Sequence, residues 1–232
     1  MEWNSKLLKR TLEPEVMDTV EEAVDYDSMA HSQVNRLFVD DLVEFIRVHG
    51  SDIDHDLTVL DLGTGTAQIP VELSSRRLNV RSVIASDLSK EMLKLASFRI
   101  SESNNVHQLL PTYCDAKCLP IAGESCDIVM SNSIVHHIPN PLIVFQEMRR
   151  VVRPGGIVFI RDLMRPIDGK DVEQIVEAYA GNENAHQQKM FRESLHAALT
   201  VDEVRKLLTQ SGFPASWVEA TSDRHWTVAG QI

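Results

Sequence analysis

From residue 58 onward, short apolar runs alternate with stretches in which apolar residues recur at helical spacing. Strands that alternate with helices form βαβ units, and these units build a parallel sheet covered by helices. The predicted parallel strands are Thr58–Leu62, Val80–Ser86, Leu109–Cys114, Cys126–Ser131 and Gly156–Asp162. Two later runs, Trp217–Ala220 and His225–Ala229, are too close together for a crossover helix. They are predicted to pair as an antiparallel hairpin.

Cap residues and apolar spacing predict where the helices lie. Ser89 is expected to cap one helix, and Thr200 with Glu203 forms a capping box for another. The helix that follows Pro141 is expected to stop at Pro154-Gly155-Gly156. Before the first strand, apolar side chains recur at helical spacing between positions 34 and 46.

These patterns divide the chain into a helical N-terminal lid, residues 1–50, and a main domain, residues 51–232. A second helical stretch is predicted as an insert at about residues 163–200, after the fifth strand. We expect the lid and the insert to cover a pocket, and the insert to determine specificity.

The segment TVLDLGTGTAQIP, residues 58–70, places a glycine turn directly after the first strand. Such a turn lets the backbone approach a ligand closely. A dinucleotide fingerprint has glycine or alanine three residues after Gly65, where this chain has Gln68. Asp61 precedes the turn and favours a cationic group over a pyrophosphate, while Asp87 ends the second strand and can accept both ribose hydroxyls. S-adenosylmethionine has an adenine, a ribose and a positively charged tail.

Four stretches occur in the order typical of one family: VLDLGTGTA, ASDLSKEML, CDAKCLPIAGESCDIVMSNSIVHHIPNP and MRRVVRPGGIVFIRD. Residues 58–162 therefore resemble class I S-adenosylmethionine-dependent methyltransferases, above all those similar to the ubiquinone and menaquinone C-methyltransferases. The resemblance implies a Rossmann-like α/β fold with a seven-stranded sheet in the order 3-2-1-4-5-7-6, the last strand antiparallel. Ala67 stands where the family more often has a third glycine.

The resemblance also implies the roles of individual residues toward the cofactor. The methionine tail would be held by Asp61, Gly63, Thr64 and Gly65, and the ribose by Asp87. The face of the adenine would contact Leu88 and Met92, and its edge would contact Asp115 and Ala116. The sulfonium side would be lined by Ser131 and Asn132. The product would be S-adenosylhomocysteine.

Four further residues are candidates for contact with the methyl acceptor. His136 and His137 follow the fourth strand and could accept a proton from the acceptor, or instead pack the loop or contact the cofactor. Tyr26 could contact the sulfonium, close the pocket or be an ordinary helix residue, and Arg161 could bind an acidic substrate or form a buried ion pair. Many methyl transfers need no strong base, because alignment of the reactants supplies much of the rate.

Charge and cysteine content limit the other functions. A net charge of −11 argues against a nucleic-acid substrate and favours a small molecule. Three cysteines without a CxxC pair fit a reduced, cytoplasmic protein, no metal site is expected, and no run is long enough to span a membrane. The oligomeric state is not indicated. The alternatives are a protein that binds S-adenosylmethionine without catalysis, a protein methyltransferase with an open groove, and an NAD(P)-dependent oxidoreductase.

Overall fold

The computed structural model describes residues 8–16, 18–29, 31–49 and 56–232. These residues form a seven-stranded sheet in the order 3-2-1-4-5-7-6, which confirms the predicted fold. Its strands are β1 (Leu57–Leu62), β2 (Val80–Asp87), β3 (Leu109–Tyr113), β4 (Cys126–Asn132), β5 (Val152–Leu163), β6 (Val218–Ala220) and β7 (His225–Gln231). The first five strands are parallel, and β7 runs antiparallel to both β5 and β6.

Helices cover both faces of the sheet. They are α1 (Val20–Ser28), α2 (Ser32–His49), α3 (Gln68–Ser74), α4 (Lys90–Ser101), α5 (Leu142–Val151), α6 (Gly169–Ala180), α7 (Ala185–Ala197) and α8 (Val201–Gln210), with 3-10 turns at Val135–His137 and Ala215–Trp217. Ser89 caps α4 by accepting a hydrogen bond from the Met92 backbone N–H. The capping box of Thr200 and Glu203 is complete at the start of α8. Both caps are confirmed.

The predicted stop of α5 at Pro154-Gly155-Gly156 is wrong, because α5 ends at Val151 and β5 begins at the next residue. Sheet partners explain the difference. Val152 pairs with Cys126 of β4, and the Gly155 N–H donates to the Ile232 carbonyl, 2.9 Å away. Tertiary pairing thus extends the strand back through a segment that local signals mark as a turn.

The core lies on both faces of the parallel strands, which are buried on each side as expected for such a sheet except at the edge strand β3. On one face, α5 and α8 pack on β4 and β5. On the other face, α2, α3 and α4 pack on β1 and β2. Phe38 of α2 is fully buried and meets Phe159 of β5 edge-on, with 5.3 Å between ring centroids. The helix predicted between positions 34 and 46 is therefore part of the main core.

A segment without helix or strand, residues 8–16, crosses the edge of the sheet where the parallel strands end. We call it the strap. Its Leu8 N–H donates to the Ile167 carbonyl (2.8 Å), and its Thr11 N–H donates to the His196 carbonyl at the end of α7 (3.0 Å). The strap and the α6–α7 pair thereby enclose one end of the sheet. Within the described part of the chain, no helix has both the length and the apolar character needed to cross a membrane.

Candidate cofactor and acceptor site

A cleft of about 750 Å³, including its open mouth, lies at the carboxyl ends of β1, β2 and β4. This is the edge at which ligands bind in open α/β sheets. The cleft is lined by Glu15, Val16, Tyr26, Gly63, Gly65, Ser86, Asp87, Leu88, Ser89, Met92, Cys114–Lys117, Asn132–Ile134, His137 and Ile138. An adjoining recess holds Asp61 and Thr64 beside Tyr26 and Asn132. Most of the predicted cofactor residues therefore lie together.

The glycine turn has a backbone that ordinary side chains would disturb. Gly63 has a φ of +69°, and a Cβ there would lie 1.8 Å from Cγ2 of Ile134. Ala67, at the position of the family's third glycine, has a φ of 60° and stands just before α3. Left-handed backbone of this kind costs a residue with a side chain about 1–2 kcal/mol. The turn is therefore held in a strained form that places its backbone against the cleft.

Asp87 connects the end of β2 to the glycine turn. Its Oδ2 accepts a hydrogen bond from the Gly65 N–H and its Oδ1 one from the Ser89 N–H, both at 2.8 Å. Burial raises the pKa of Asp87 above its ordinary value. Each carboxylate oxygen can accept more than one hydrogen bond, so both remain able to receive ribose hydroxyls.

Asp61 is a buried carboxyl with another carboxyl as its charged neighbour. It is 2% exposed, and burial together with the charge of Asp87 raises its pKa to about 7. A positively charged group bound beside it would favour the ionised form. The ammonium and sulfonium groups of S-adenosylmethionine are cations of this kind, so the recess fits the predicted cofactor.

Lys117 joins the predicted adenine side of the cleft to the strap. Its ammonium lies 3.0 Å from Oδ1 of Asp115 and also contacts the carboxylate of Glu15. The backbone N–H of Lys117 donates to the same Asp115 oxygen at 2.8 Å. Asp115 is thereby fixed in position on the cleft wall.

Tyr26 and Gln68 link α1 and α2 to the glycine turn. Tyr26 of α1 lies on the cleft, and a Cβ at Gly65 would lie 3.5 Å from its ring. Burial and the charge of Asp87 raise the pKa of Tyr26 to about 12, so its hydroxyl stays protonated. Gln68 donates to Asp27 of α1 (3.2 Å) and accepts from Asn35 of α2 (2.8 Å). Gln68, the residue that departs from a dinucleotide fingerprint, thus joins α1 and α2 to the glycine turn.

The two histidines take different positions. His137 lies on the cleft wall, and burial together with the charge of His136 lowers its pKa to about 3. His136 is 3% exposed and lies behind the wall, where its Nδ1 is 2.5 Å from Oδ1 of Asp162. Asp162 is fully buried and also accepts the Val135 N–H at 2.6 Å.

Glu13 of the strap joins the two histidines, and sequence reasoning did not identify it. Its Oε1 lies 3.1 Å from Nδ1 of His137 and 3.5 Å from Nε2 of His136. Glu13 belongs to no motif and is separated from the histidines by more than 120 positions, so no local sequence signal marks it.

Besides His136, two predicted site residues lie outside the cleft wall. Ser131 is fully buried and donates from its hydroxyl to the Leu62 carbonyl, 2.9 Å away. Arg161 donates to Asp41 of α2 (2.7 Å) and to the hydroxyl of Thr227 (3.0 Å). Of the two predicted interpretations of Arg161, the structure thus favours the ion pair.

Comparison with known proteins gives a consistent result. Residues 60–160 match a family model described as a methyltransferase domain. The chain is 32% identical over 197 residues to a malonyl-[acyl-carrier protein] O-methyltransferase of Marinomonas sp., covering 84% of this chain and 67% of that protein. It is 30% identical over 110 residues to a demethylmenaquinone methyltransferase of Porphyromonas gingivalis, covering 47% of this chain and 45% of that protein. With several other curated relatives the match spans about a quarter to a half of their length.

Solved structures show the same fold. A methyltransferase from Aquifex aeolicus, described as dependent on S-adenosylmethionine, superimposes with a TM-score of 0.62 at 16% identity, covering 92% of this chain and 98% of that one. A phosphoethanolamine N-methyltransferase 2 of Haemonchus contortus, solved with S-adenosylhomocysteine, gives a TM-score of 0.56 at 19% identity, covering 75% of this chain and 36% of that one.

Proposed function

Because the chain belongs to the class I S-adenosylmethionine-dependent methyltransferases, we propose that it methylates a small molecule that enters the cleft beside His137. Bound S-adenosylmethionine supplies an electrophilic methyl group and leaves as S-adenosylhomocysteine. The acceptor is an oxygen, nitrogen or carbon nucleophile in line with that methyl group. The relatives act on different acceptors by their names, so their similarity supports the reaction class and leaves the acceptor open.

The cofactor roles are assigned to the residues that line the cleft and its recess. The amino-acid tail would be held by Asp61, Gly63, Thr64 and Gly65, and the ribose by Asp87. The adenine would contact Leu88, Met92, Asp115 and Ala116, and the sulfonium side would face Asn132. Ser131 joins β4 to β1, because its hydroxyl donates a hydrogen bond to the Leu62 carbonyl, and its effect on the cofactor is therefore indirect. Tyr26 covers the cleft from α1.

We place His137 against the acceptor, since it lies on the cleft wall while His136 lies behind it. The uncharged His137 ring can receive a hydrogen bond from an acceptor hydroxyl or amine. Asp162 orients His136, which in turn packs against His137 with 4.2 Å between ring centroids. His136 is therefore a positioning residue.

One observation carries the preference for a small acceptor: the strap and α1 contribute Glu15, Val16 and Tyr26 to the cleft wall. A covered cleft of this kind suits a small molecule better than a protein or nucleic-acid chain, which needs an open groove. The net charge of −11 supports the same choice against nucleic acid. An odd number of cysteines, all free thiols, supports a reducing compartment such as the cytoplasm.

Thermal unfolding with S-adenosylmethionine, S-adenosylhomocysteine and NAD in parallel tests cofactor binding at this cleft. A ligand at about 100 times its Kd adds roughly 2.7 kcal/mol, which raises the Tm of a chain this size by roughly 5 to 10 °C. We expect this shift with the first two ligands and not with NAD. Asp87→Ala should reduce it strongly, whereas the exposed Asp202→Ala should leave it unchanged.

Turnover to S-adenosylhomocysteine, measured with a panel of phenols, quinols and amines, tests the acceptor class. We expect turnover with at least one small acceptor, and a loss of its rate in His137→Phe without loss of the S-adenosylhomocysteine shift. Binding without turnover on this panel would contradict the proposal and favour a non-catalytic binding protein. A Tm shift with NAD alone would contradict the choice of S-adenosylmethionine as cofactor, and with it the proposed reaction.

A further inference from the structure

Three potential metal ligands meet behind the cleft wall: the carboxylate of Glu13 and the rings of His136 and His137. Their ligand atoms all lie within 4.8 Å of one another. Glu13 has a side chain that is 9% exposed, His136 one that is 3% exposed and His137 one that is 14% exposed. The group is thus shielded from water on most sides and reaches the cleft through His137.

Two atoms of this group lack a hydrogen-bond partner. Oε1 of Glu13 and Nδ1 of His137 are both buried and unpartnered, although they lie only 3.1 Å apart. Buried polar atoms nearly always have a partner, and one that has none calls for an explanation. Here both point into the same small space.

Asp162 determines which nitrogen of His136 faces that space. Its carboxylate is surrounded by N–H donors, so Nδ1 of His136 is the nitrogen that donates to it, at 2.5 Å. In the neutral ring, Nε2 then carries the lone pair, and it faces Oε1 of Glu13, 3.5 Å away. A carboxylate hydrogen-bonded to the far nitrogen of a ligating histidine is the usual outer support of a metal site.

The distances fit one ion between the three groups. A tetrahedral ion bound at about 2.0–2.2 Å holds its ligand atoms about 3.3–3.6 Å apart. The separation from Oε1 of Glu13 to Nε2 of His136, 3.5 Å, lies within this range, and that to Nδ1 of His137, 3.1 Å, lies just below it. Two histidines and one carboxylate are a donor set that suits Zn²⁺ and similar first-row divalent ions.

We propose that Glu13, His136 and His137 bind a divalent transition-metal ion at the inner end of the cleft. Three protein ligands leave a coordination position open, as in catalytic rather than structural sites. An acceptor beside His137 would place an oxygen at that position, and the ion would then take the role proposed above for the lone pair of the His137 ring. The ion would promote loss of the proton of an acceptor hydroxyl to water at the open mouth of the cleft, and the resulting oxyanion would attack the methyl group, so the inference narrows the acceptor to a molecule with an oxygen nucleophile.

The charged groups around the site are compatible with a cation. Glu13 and Asp162 supply two carboxylates, and Ser194 donates to the second oxygen of Glu13 at 3.3 Å. Arg10 is the neighbouring cation, and its guanidinium is directed to the carbonyls of His136 and Ile138, each at 3.0 Å. Its hydrogen bonds are therefore made to the backbone behind the histidines.

Metal binding by the full chain, freed of metals with a chelator, tests the site without any acceptor. We expect one Zn²⁺ per chain by isothermal titration calorimetry, with a dissociation constant in the micromolar range or below. Co²⁺ should bind to the same site and give the visible absorption of a low-coordinate ion. Glu13→Gln, nearly identical in size, should weaken binding of both ions more than tenfold.

His186→Gln is the matched control, because His186 belongs to a second group, with Glu21 and Asp25, that is partly exposed. It should leave the measured affinity unchanged. The Tm shift with S-adenosylhomocysteine reports that each variant is folded, and His137→Gln replaces Glu13→Gln if the latter fails this check. Absence of binding, or binding that is lost in His186→Gln but kept in Glu13→Gln, would overturn the proposal. Because metal binding and methyl transfer are read separately, failure of one is distinguishable from failure of the other.

Discussion

Asp61 shows how one residue can select a ligand by charge. Its carboxyl lies at the end of β1, buried and close to Asp87, and its pKa is raised to about 7. The free site is therefore only partly ionised near neutral pH. A cationic ligand binds the ionised form, so it has to displace a proton whenever the site is protonated.

We expect the affinity for S-adenosylmethionine to fall as the pH is lowered through 7. With a pKa of about 7 in the free protein and a lower one in the complex, the apparent Kd should rise roughly tenfold between pH 8 and pH 6. Calorimetric titration across this range measures the slope. Asp61→Asn should bind more weakly at pH 8 and lose most of the pH dependence; an equal slope in that variant would assign the effect to another group.

Residues at strand ends were predictable, because a strand that stops at a given residue places it at the ligand edge of the sheet. Asp61, Gly65 and Asp87 are examples. The separation of His136 from His137 was not predictable, since it depends on a turn in which Ser133 has a φ of 61°. Glu13 could not be found, because an irregular segment leaves no periodic signal.

At the scale of elements, the strap (residues 8–16) is a part of the cleft wall that lacks regular structure. Arg10 holds it by donating to the Ala197 carbonyl of α7 at 2.7 Å and to carbonyls of the turn at His136 and Ile138. Hydrogen bonds from a charged donor contribute about 1.5–3 kcal/mol each before the loss of side-chain entropy. One side chain therefore joins the strap, α7 and the histidine turn.

Arg10→Ala should release the strap. We expect a loss of about 2 kcal/mol in the free energy of unfolding, faster proteolysis within residues 8–16, and weaker binding of S-adenosylhomocysteine. Limited proteolysis with and without that ligand provides the measurement. Arg192→Ala is the control, because Arg192 pairs with Glu173 at an exposed position on α7. Equal cleavage of the two variants would show that Arg10 does not hold the strap.

Elements with strong periodicity were predicted well. The seven strands lie close to their predicted positions, except that β5 begins at Val152 instead of Gly156. That error has a physical cause, since the added residues are held in the strand by β4 and by Ile232. Local turn signals contain no information about such distant partners.

At the scale of the whole molecule, α2 belongs to the same core as the sheet. Phe38 is fully buried against Phe159, and the guanidinium of Arg161 lies 5.8 Å from the centre of the Phe38 ring. The predicted lid, residues 1–50, therefore includes a helix, α2, whose apolar side chains belong to the core of the main domain. Periodicity predicted α2 but not the face of the sheet that it covers.

Phe38→Ala should lower the stability of the whole chain. Removing a buried phenylalanine costs about 3–5 kcal/mol, and urea unfolding should remain one transition with a lower midpoint. Phe98→Ala, on the exposed face of α4, should change stability by less than about 0.5 kcal/mol. Two separate transitions, with Phe38→Ala shifting only the first, would instead establish α2 as part of an independent lid.

The strap also limits how the acceptor specificity of a homologue could be transferred to this chain by exchanging segments. It carries Glu13 to the histidines and Glu15 to the cleft, yet its backbone is anchored on α7, at the end of the α6–α7 pair. A chimera that received α6 and α7 from a homologue would keep a strap whose hydrogen bonds are made to the original α7, at His196 and Ala197. If the α6–α7 insert determines specificity, as predicted from the sequence, its exchange with a homologue requires two grafts made together, residues 8–16 and the α6–α7 pair, although more than 150 positions separate them in the chain.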